Sequence, residues 1–298
     1  MPAFRDIVVV LDDSTASEVR LELAVAIAQR HDAHLTGFSA LGMLMPARPY
    51  MQSRTYSQVE TLPASQMLNW SAGSLAASPA TSQQMAEKAE RIEAAFRIRL
   101  RSSAVRGEWQ MAGDNVSETL VRQARHADLT ILGQVDPTHP PPPGGRQLLE
   151  DVLMTSGRPI LVVPYIGRYE TAGTKVLVGW NNSREAARAM SDAMPMLAKA
   201  ESVIVLEATP AVRKATTDHG AGADVVRHLA RHGINARASR TVIVDISAAD
   251  ALLSHAADMS ADLLVVGGYG HSRLRELILG GVTHGLLQHM TLPVLMSH

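Results

Sequence analysis

The chain has 298 residues, 46% hydrophobic and 19% charged, with a formal net charge of −1. That composition supplies apolar material for two cores, and no excess of positive charge for a nucleic acid. Cysteine is absent, which removes disulfides and thiol chemistry and agrees with a reducing cytoplasm. No apolar run approaches the ~20 residues of a membrane span, and Ile7 to Leu11 is too short for the apolar part of a signal peptide. A cytoplasmic protein with no membrane contact is expected.

In chain order, a buried-looking strand from Ile7 to Leu11 breaks at Asp12-Asp13, and Ser14 is suited to cap the next helix. Residues Gly42 to Ser82, rich in Met, Ser, Pro and Gln, have the composition of an exposed excursion. Arg91, Arg97, Arg99 and Arg101 then alternate with Glu87, Glu90 and Glu93, the pattern of a solvated surface. A strand over Ala127 to Gly133 leads into a loop containing four consecutive prolines, Pro140 to Pro143. A proline-led strand, Pro159 to Val163, closes the half.

The second half repeats this plan. Val176 to Gly179, then Trp180-Asn181-Asn182-Ser183, correspond to Ile7 through Ser14. Ala186, Met190, Ala193 and Leu197 fall on one helical face. A strand over Ser202 to Glu207, a helix over Asp224 to Arg231, a strand near Ala236 to Val244 and a helix over Ser247 to Ala257 follow. The strand Leu263 to Val266 ends in Gly267-Gly268-Tyr269-Gly270, and Pro293 leads the last strand. Asp12 and Asn181 are 169 positions apart, whereas Gly133 to Gly267 and Pro159 to Pro293 are each 134. A tandem duplication with 35 extra residues early in the first half accounts for both offsets. The expected fold is two α/β domains, residues 1–168 and 173–298, each a doubly wound parallel sheet. Were the order 3-2-1-4-5, the first and fourth strands would flank the crevice where the winding reverses, placing Asn181 and the glycine loop at one cavity.

Gly267 and Gly270 would let the backbone approach an anion closely, and Gly280-Gly281 would open a helix whose first N–H groups and dipole favour a phosphate. The first half replaces Gly270 by Asp136, Gly280 by Arg146, Gly281 by Gln147 and Thr283 by Leu149. Its prolines offer no N–H groups and Asp136 adds negative charge, so no phosphate site is expected there. Trp180 is expected to be a core aromatic, and His284 and His289 surface residues without a metal. Neither a phosphate-binding Gly-x-x-x-x-Gly-Lys-Ser/Thr loop nor a Gly-x-Ser-x-Gly elbow is present.

With Gly267, two residues, Gly270, nine residues and Gly280, the chain resembles a tandem universal stress protein, although Gly281 stands where that family carries a hydroxyl. The resemblance implies the adenine-nucleotide alpha-hydrolase-like fold and pairing of domains through their last strands, within the chain and between chains of a homodimer. It also implies ATP or AMP as ligand, with Gly179, Asn181, Ala208, Val266, Gly267, Gly270, His271, Gly280, Gly281, Val282 and Thr283 lining the site. Asn181 stands for the family's first-strand aspartate and holds a cation less well than a carboxylate, so Mg2+ is expected only through the nucleotide. The family is not defined by a catalytic reaction, and slow ATP hydrolysis is the most it implies. The alternative is a nucleotide-independent interaction protein in which the glycine loop is structural.

Overall fold

The computed structural model describes residues 3–39, 79–112, 115–138, 145–210, 221–269 and 281–298. In the first half these form β1 (Asp6–Leu11), α1 (Thr15–His31), β2 (His34–Ser39), α2 (Pro79–Ser103), β3 (Gly107–Met111), α3 (Val116–Ala124), β4 (Leu129–Gly133), α4 (Gly145–Thr155) and β5 (Ile160–Val163). The second half supplies β6 (Lys175–Gly179), α5 (Arg184–Asp192), α6 (Met194–Leu197), β7 (Ser202–Pro210), α7 (Ala221–Arg231), β8 (Ala236–Ile243), α8 (Ala248–Asp258), β9 (Leu263–Gly267), α9 (Gly281–His289) and β10 (Val294–Ser297).

The strands make one sheet in the order β3-β2-β1-β4-β5-β10-β9-β6-β7-β8. Each half therefore has the order 3-2-1-4-5, parallel throughout, and the halves join where β5 and β10 pair antiparallel. Strands β4 and β9, and β5 and β10, start 134 positions apart (Leu129 and Leu263, Ile160 and Val294), so the sequence register is the structural register. The expectation that separate chains meet through their last strands is corrected. Those strands are each other's partners within one chain, and the edges left are β3 and β8.

The parallel strands are apolar on both faces because helices cover both. One apolar layer gathers Ile7, Val9, Phe96, Val178, Ala189 and Leu229 under α1, α2, α5 and α7. The other gathers Val10, Leu120, Val152, Leu252, Val266 and Leu286 under α3, α4, α8 and α9. Ser14, Ser183 and Ser247 cap α1, α5 and α8, each hydroxyl accepting an N–H from three residues on (3.2, 3.1 and 3.1 Å). The apolar face of Ala186, Met190, Ala193 and Leu197 is split into α5 and α6, because Pro195 lacks the N–H a continuous helix needs. The last residues of the expected excursion, Pro79 to Ser82, are the first turn of α2, and its remainder, 42–78, lies outside the described residues.

The repeated Ala-Asp before β4 and β9 aligns strand starts. Asp262 accepts the N–H groups of Gly173, Thr174 and Lys175 at 2.8–3.1 Å, and Asp128 those of Arg5 and Asp6 at 2.7 and 3.2 Å. Gln134 ties the halves together: its side-chain amide donates to the carbonyls of Leu287 and Gln288 (2.9 and 3.2 Å), closing the free carbonyl end of α9. At the opposite helical layer, Arg30 donates to the carbonyls of Ala172 and Lys199, and Lys199 returns a bond to the carbonyl of Arg30.

Candidate functional site

The winding of the second half reverses between β6 and β9, which pair through Val178 and Val265. Gly179 closes β6, and a Cβ there would stand 3.0 Å from Val266 and 3.1 Å from Leu252. Asn181 is exposed; its side-chain oxygen accepts the Ser183 N–H at 3.2 Å, across Asn182 in the left-handed region (φ 57). Its oxygen is thus committed to the turn that opens α5. Trp180 is a core aromatic, 9% exposed. Ala208 lies inside β7, opposite Thr241 of β8, and not beyond the strand end as the sequence implied. Strand β7 runs three residues further than expected because its partner β8 continues beside it. Val266 is buried in the core of the α8–α9 face.

The glycine loop divides into two kinds of position. At Gly267 a Cβ would lie 2.5 Å from the carbonyl carbon of Glu185 and 2.6 Å from the N of Ala186, so this glycine is demanded by the backbone of α5. The Gly268 N–H donates to the Ser297 carbonyl at 2.8 Å, and the Tyr269 N–H donates to the Thr283 hydroxyl at 3.2 Å. Two amides of the loop are therefore satisfied inside the protein and are not offered to a ligand. Thr283, buried at 4% exposure, supplies its oxygen to this loop. Gly281 is different: it opens α9, is exposed, and among the described residues has no atom within 4 Å of where a Cβ would stand. Val282 beside it is 40% exposed. Gly270, His271 and Gly280 lie outside the described residues.

A carboxylate that sequence reasoning did not single out lies at this junction. Glu185, buried in the first turn of α5, lies against Gly267, its Cβ 2.8 Å from the position a Gly267 Cβ would take. Arg184 bonds its carboxylate at 2.5 Å and holds the carboxyl below the ordinary glutamate range. Nothing in the sequence marked it, since an acid in a first helical turn is ordinary. Tyr269 lies in the left-handed region (φ 55), and burial, reinforced by Glu150, pushes its hydroxyl, which has no partner among the described residues, above the usual phenol range. His284 and His289 are exposed on α9. Among the described residues, no three His, Asp or Glu gather as a metal site.

In the first half the same junction is filled from within. Arg20, 4% exposed, lays its guanidinium over Gly133, with one nitrogen 1.8 Å from where a Cβ would be. It donates to the Val10 carbonyl at 2.6 Å and to the Asp12 carboxylate at 2.7 Å. Burial alone would raise the Asp12 carboxyl, but Arg20 and Ser14 together hold it below its ordinary value. The position matching Arg20 in the second half is Ala189, fully buried and small. Asp136 accepts the N–H and hydroxyl of Thr138 at 2.8 and 2.6 Å, while the prolines beyond lie outside the described residues. Arg20 is the residue sequence reasoning missed here. Its signal was an arginine among apolar positions of α1.

The two halves share one doubly wound α/β strand order and differ at the matching junction, which carries Arg20 over Gly133 in the first half and an exposed Gly281 in the second. Residues 173–298 match the model of the universal stress protein family. Universal stress protein Slr1230 of Synechocystis is 40% identical over 48 residues, 16% of this chain and 17% of that protein, so the alignment spans about a sixth of the relative. A universal stress protein from Archaeoglobus fulgidus superposes with a TM-score of 0.65 at 14% identity, covering 99% of this chain and 97% of its own. A functionally unknown protein, PA1789, from Pseudomonas aeruginosa superposes with a TM-score of 0.59 at 18% identity, covering 99% and 92%. At those identities the solved structures speak for the fold. The family match thus extends over residues 173–298, and the first half shares the strand order of that segment. Among the described residues, no helix is long and apolar enough to cross a membrane.

Proposed function

We propose that the second-half crevice binds an adenine nucleotide, ATP or AMP, as a regulatory ligand of a stress-response protein, and that the first half does not. The observation that carries this reading is the start of α9. Gly281 stands exposed, with nothing over it among the described residues, at the carboxyl ends of the strands where the winding reverses. The opening N–H groups of that helix and its dipole favour a phosphate. Gly179 and Asn181 belong to the strand end and turn beside it, where a base and ribose would lie, and Ala208 lies within β7 next to them; Gly270, His271 and Gly280 complete the proposed set. The functional units are then 1–168 and 173–298, with Mg2+ arriving only on the nucleotide. Glu185 is bonded to Arg184, and we assign it no catalytic role.

A second reading, a nucleotide-independent interaction protein with a structural loop, has an observation in its favour. Gly267 is required by α5, and the next two amides are internally bonded. Calorimetry with ATP, ADP and AMP separates the two. Saturable heat that disappears in Gly270→Asp, which copies Asp136 of the first half, supports nucleotide binding. No heat from any of the three supports the interaction reading.

A further inference from the structure

The arginines of α2 are exposed, as the sequence pattern implied, but they do not share one set of neighbours. Arg99 turns toward α1 and pairs with Glu22 at 3.6 Å. Arg97 and Arg101, four apart and hence on one helix face, instead line a cleft of about 700 Å3 between α2 and the edge strand β3. Arg106, at the entry to β3, lines the same cleft. Beneath them lie Phe96, 1% exposed, and Trp109, with ring centroids 5.4 Å apart. Both rings fit because residue 37 is glycine: a Cβ there would stand 2.6 Å from Trp109 and 2.8 Å from Phe96. The Trp109 indole N–H is buried without an acceptor among the described residues.

The charge around the cleft is only partly compensated. Arg101 has no ion pair among the described residues. Arg106 is 3.6 Å from Asp32, a carboxylate that also serves Arg5 at 3.3 Å. Arg97 bonds Glu93 at 2.7 Å, with the arginine side chain 60% exposed. Exposed pairs of this kind contribute little, so each guanidinium is available to a better acceptor. The acidic residue in the lining, Glu108, already accepts the side-chain amide of Gln110 at 2.9 Å. The volume is that of a small-molecule site, and forked guanidinium groups over an apolar floor suit an oxyanion with an organic body. The cleft opens at the amino ends of the strands, the opposite end of the sheet from the nucleotide crevice.

We propose that this cleft is a second ligand site, taking a small multivalent oxyanion on Arg97, Arg101 and Arg106, with its organic part against Trp109. The proposal is independent of nucleotide binding. Pyrophosphate and citrate, titrated into the full chain by calorimetry and tryptophan emission, are the probes; their ranking shows whether phosphate or carboxylate is preferred. Saturable binding of either is expected. It should weaken at least ~10-fold in the Arg97→Gln/Arg101→Gln double variant, and weaken again between about 50 and about 300 mM salt. Trp109→Phe should abolish the emission change while the heat remains, and Gly270→Asp should leave both intact. Binding unchanged in the double variant, binding lost instead in Gly270→Asp, or no heat from either probe at millimolar concentration would overturn the proposal.

Discussion

The glycines of the second-half motif are not equivalent, and alanine substitution separates their roles. A methyl group at Gly267 would stand 2.5–2.8 Å from the carbonyl carbon and Cβ of Glu185 and the N of Ala186. None of these is the far end of a flexible side chain, so the start of α5 must shift and strain the Ser183 cap, whose bond to Ala186 is 3.1 Å long. Overpacking of this kind costs about 1–3 kcal/mol, and a rigid backbone neighbour argues for the upper part of that range, about 2–3 kcal/mol. Gly281→Ala meets no atom within 4 Å, so stability should be unchanged or rise by about 0.4–1 kcal/mol through lost unfolded-state entropy. The same methyl over the first N–H groups of α9 should weaken ATP binding. Urea unfolding followed by circular dichroism, with calorimetry on the folded variants, gives both numbers. A Gly267→Ala protein as stable as the parent would refute the claim that α5 demands this glycine. A Gly281→Ala protein binding ATP undiminished would remove the start of α9 from the site.

Three further outcomes follow from buried groups. Arg20→Ala, which copies Ala189, strips the partner from Asp12 and the Val10 carbonyl. Breaking a buried pair costs about 3–5 kcal/mol, but the Asp12 side chain is 39% exposed, so about 2–3 kcal/mol is expected in denaturant titration. Because the Asp12 carboxyl is held below its usual value, that loss is present above the ordinary carboxylate range and shrinks as pH falls through the depressed value; a pH-independent difference would contradict the pairing. His31 is buried, and burial, aided by Lys199 and Arg30, lowers it from 6.5 to about 4. The unfolded chain therefore takes up a proton that the folded one resists. Stability should fall between pH 6.5 and about 4 by on the order of 2–3 kcal/mol, and His31→Leu should flatten that slope. Gln134→Ala should cost about 1–2 kcal/mol and speed amide exchange in the last turn of α9; unchanged exchange there would mean the cross-half tie is slack.

The fold was legible because parallel strands covered on both sides are written as short apolar runs, and the matching runs kept constant offsets. Val176 to Gly179 and Leu263 to Gly267 lie where their patterns placed them, and the caps Ser14 and Ser183 do what a serine after a strand commonly does. The helix α2 was harder to see. Ala89, Ile92, Phe96 and Leu100 are its buried stripe, but charged residues between them give the segment the appearance of solvated surface. The site was legible as a place and not as a set of bonds. Spacing put Gly267 and Gly281 at one junction, but whether a glycine makes room for a ligand or for a helix depends on what faces it across the sheet. No local pattern carries that information.

The same reasoning explains how two halves with one strand order can differ in what they do. At the first junction an arginine from α1 places a guanidinium on Gly133 and neutralises Asp12, so cation and anion are both supplied from within. At the second, the aspartate is Asn181 and the arginine position is Ala189, so neither charge is present and α5 packs its backbone directly against Gly267. Restoring one charge without the other would leave a half-buried ion unpaired, which is costly. The two changes are therefore coupled, and Arg20→Ala alone should not convert the first half into a nucleotide site. The Asp12 carboxylate would repel a phosphate, and only Arg20→Ala with Asp12→Asn would reproduce the uncharged Ala189 and Asn181 positions of the second half. ATP heat attributable to the first half in Arg20→Ala alone would show that the guanidinium, and not the carboxylate, is what keeps that crevice closed.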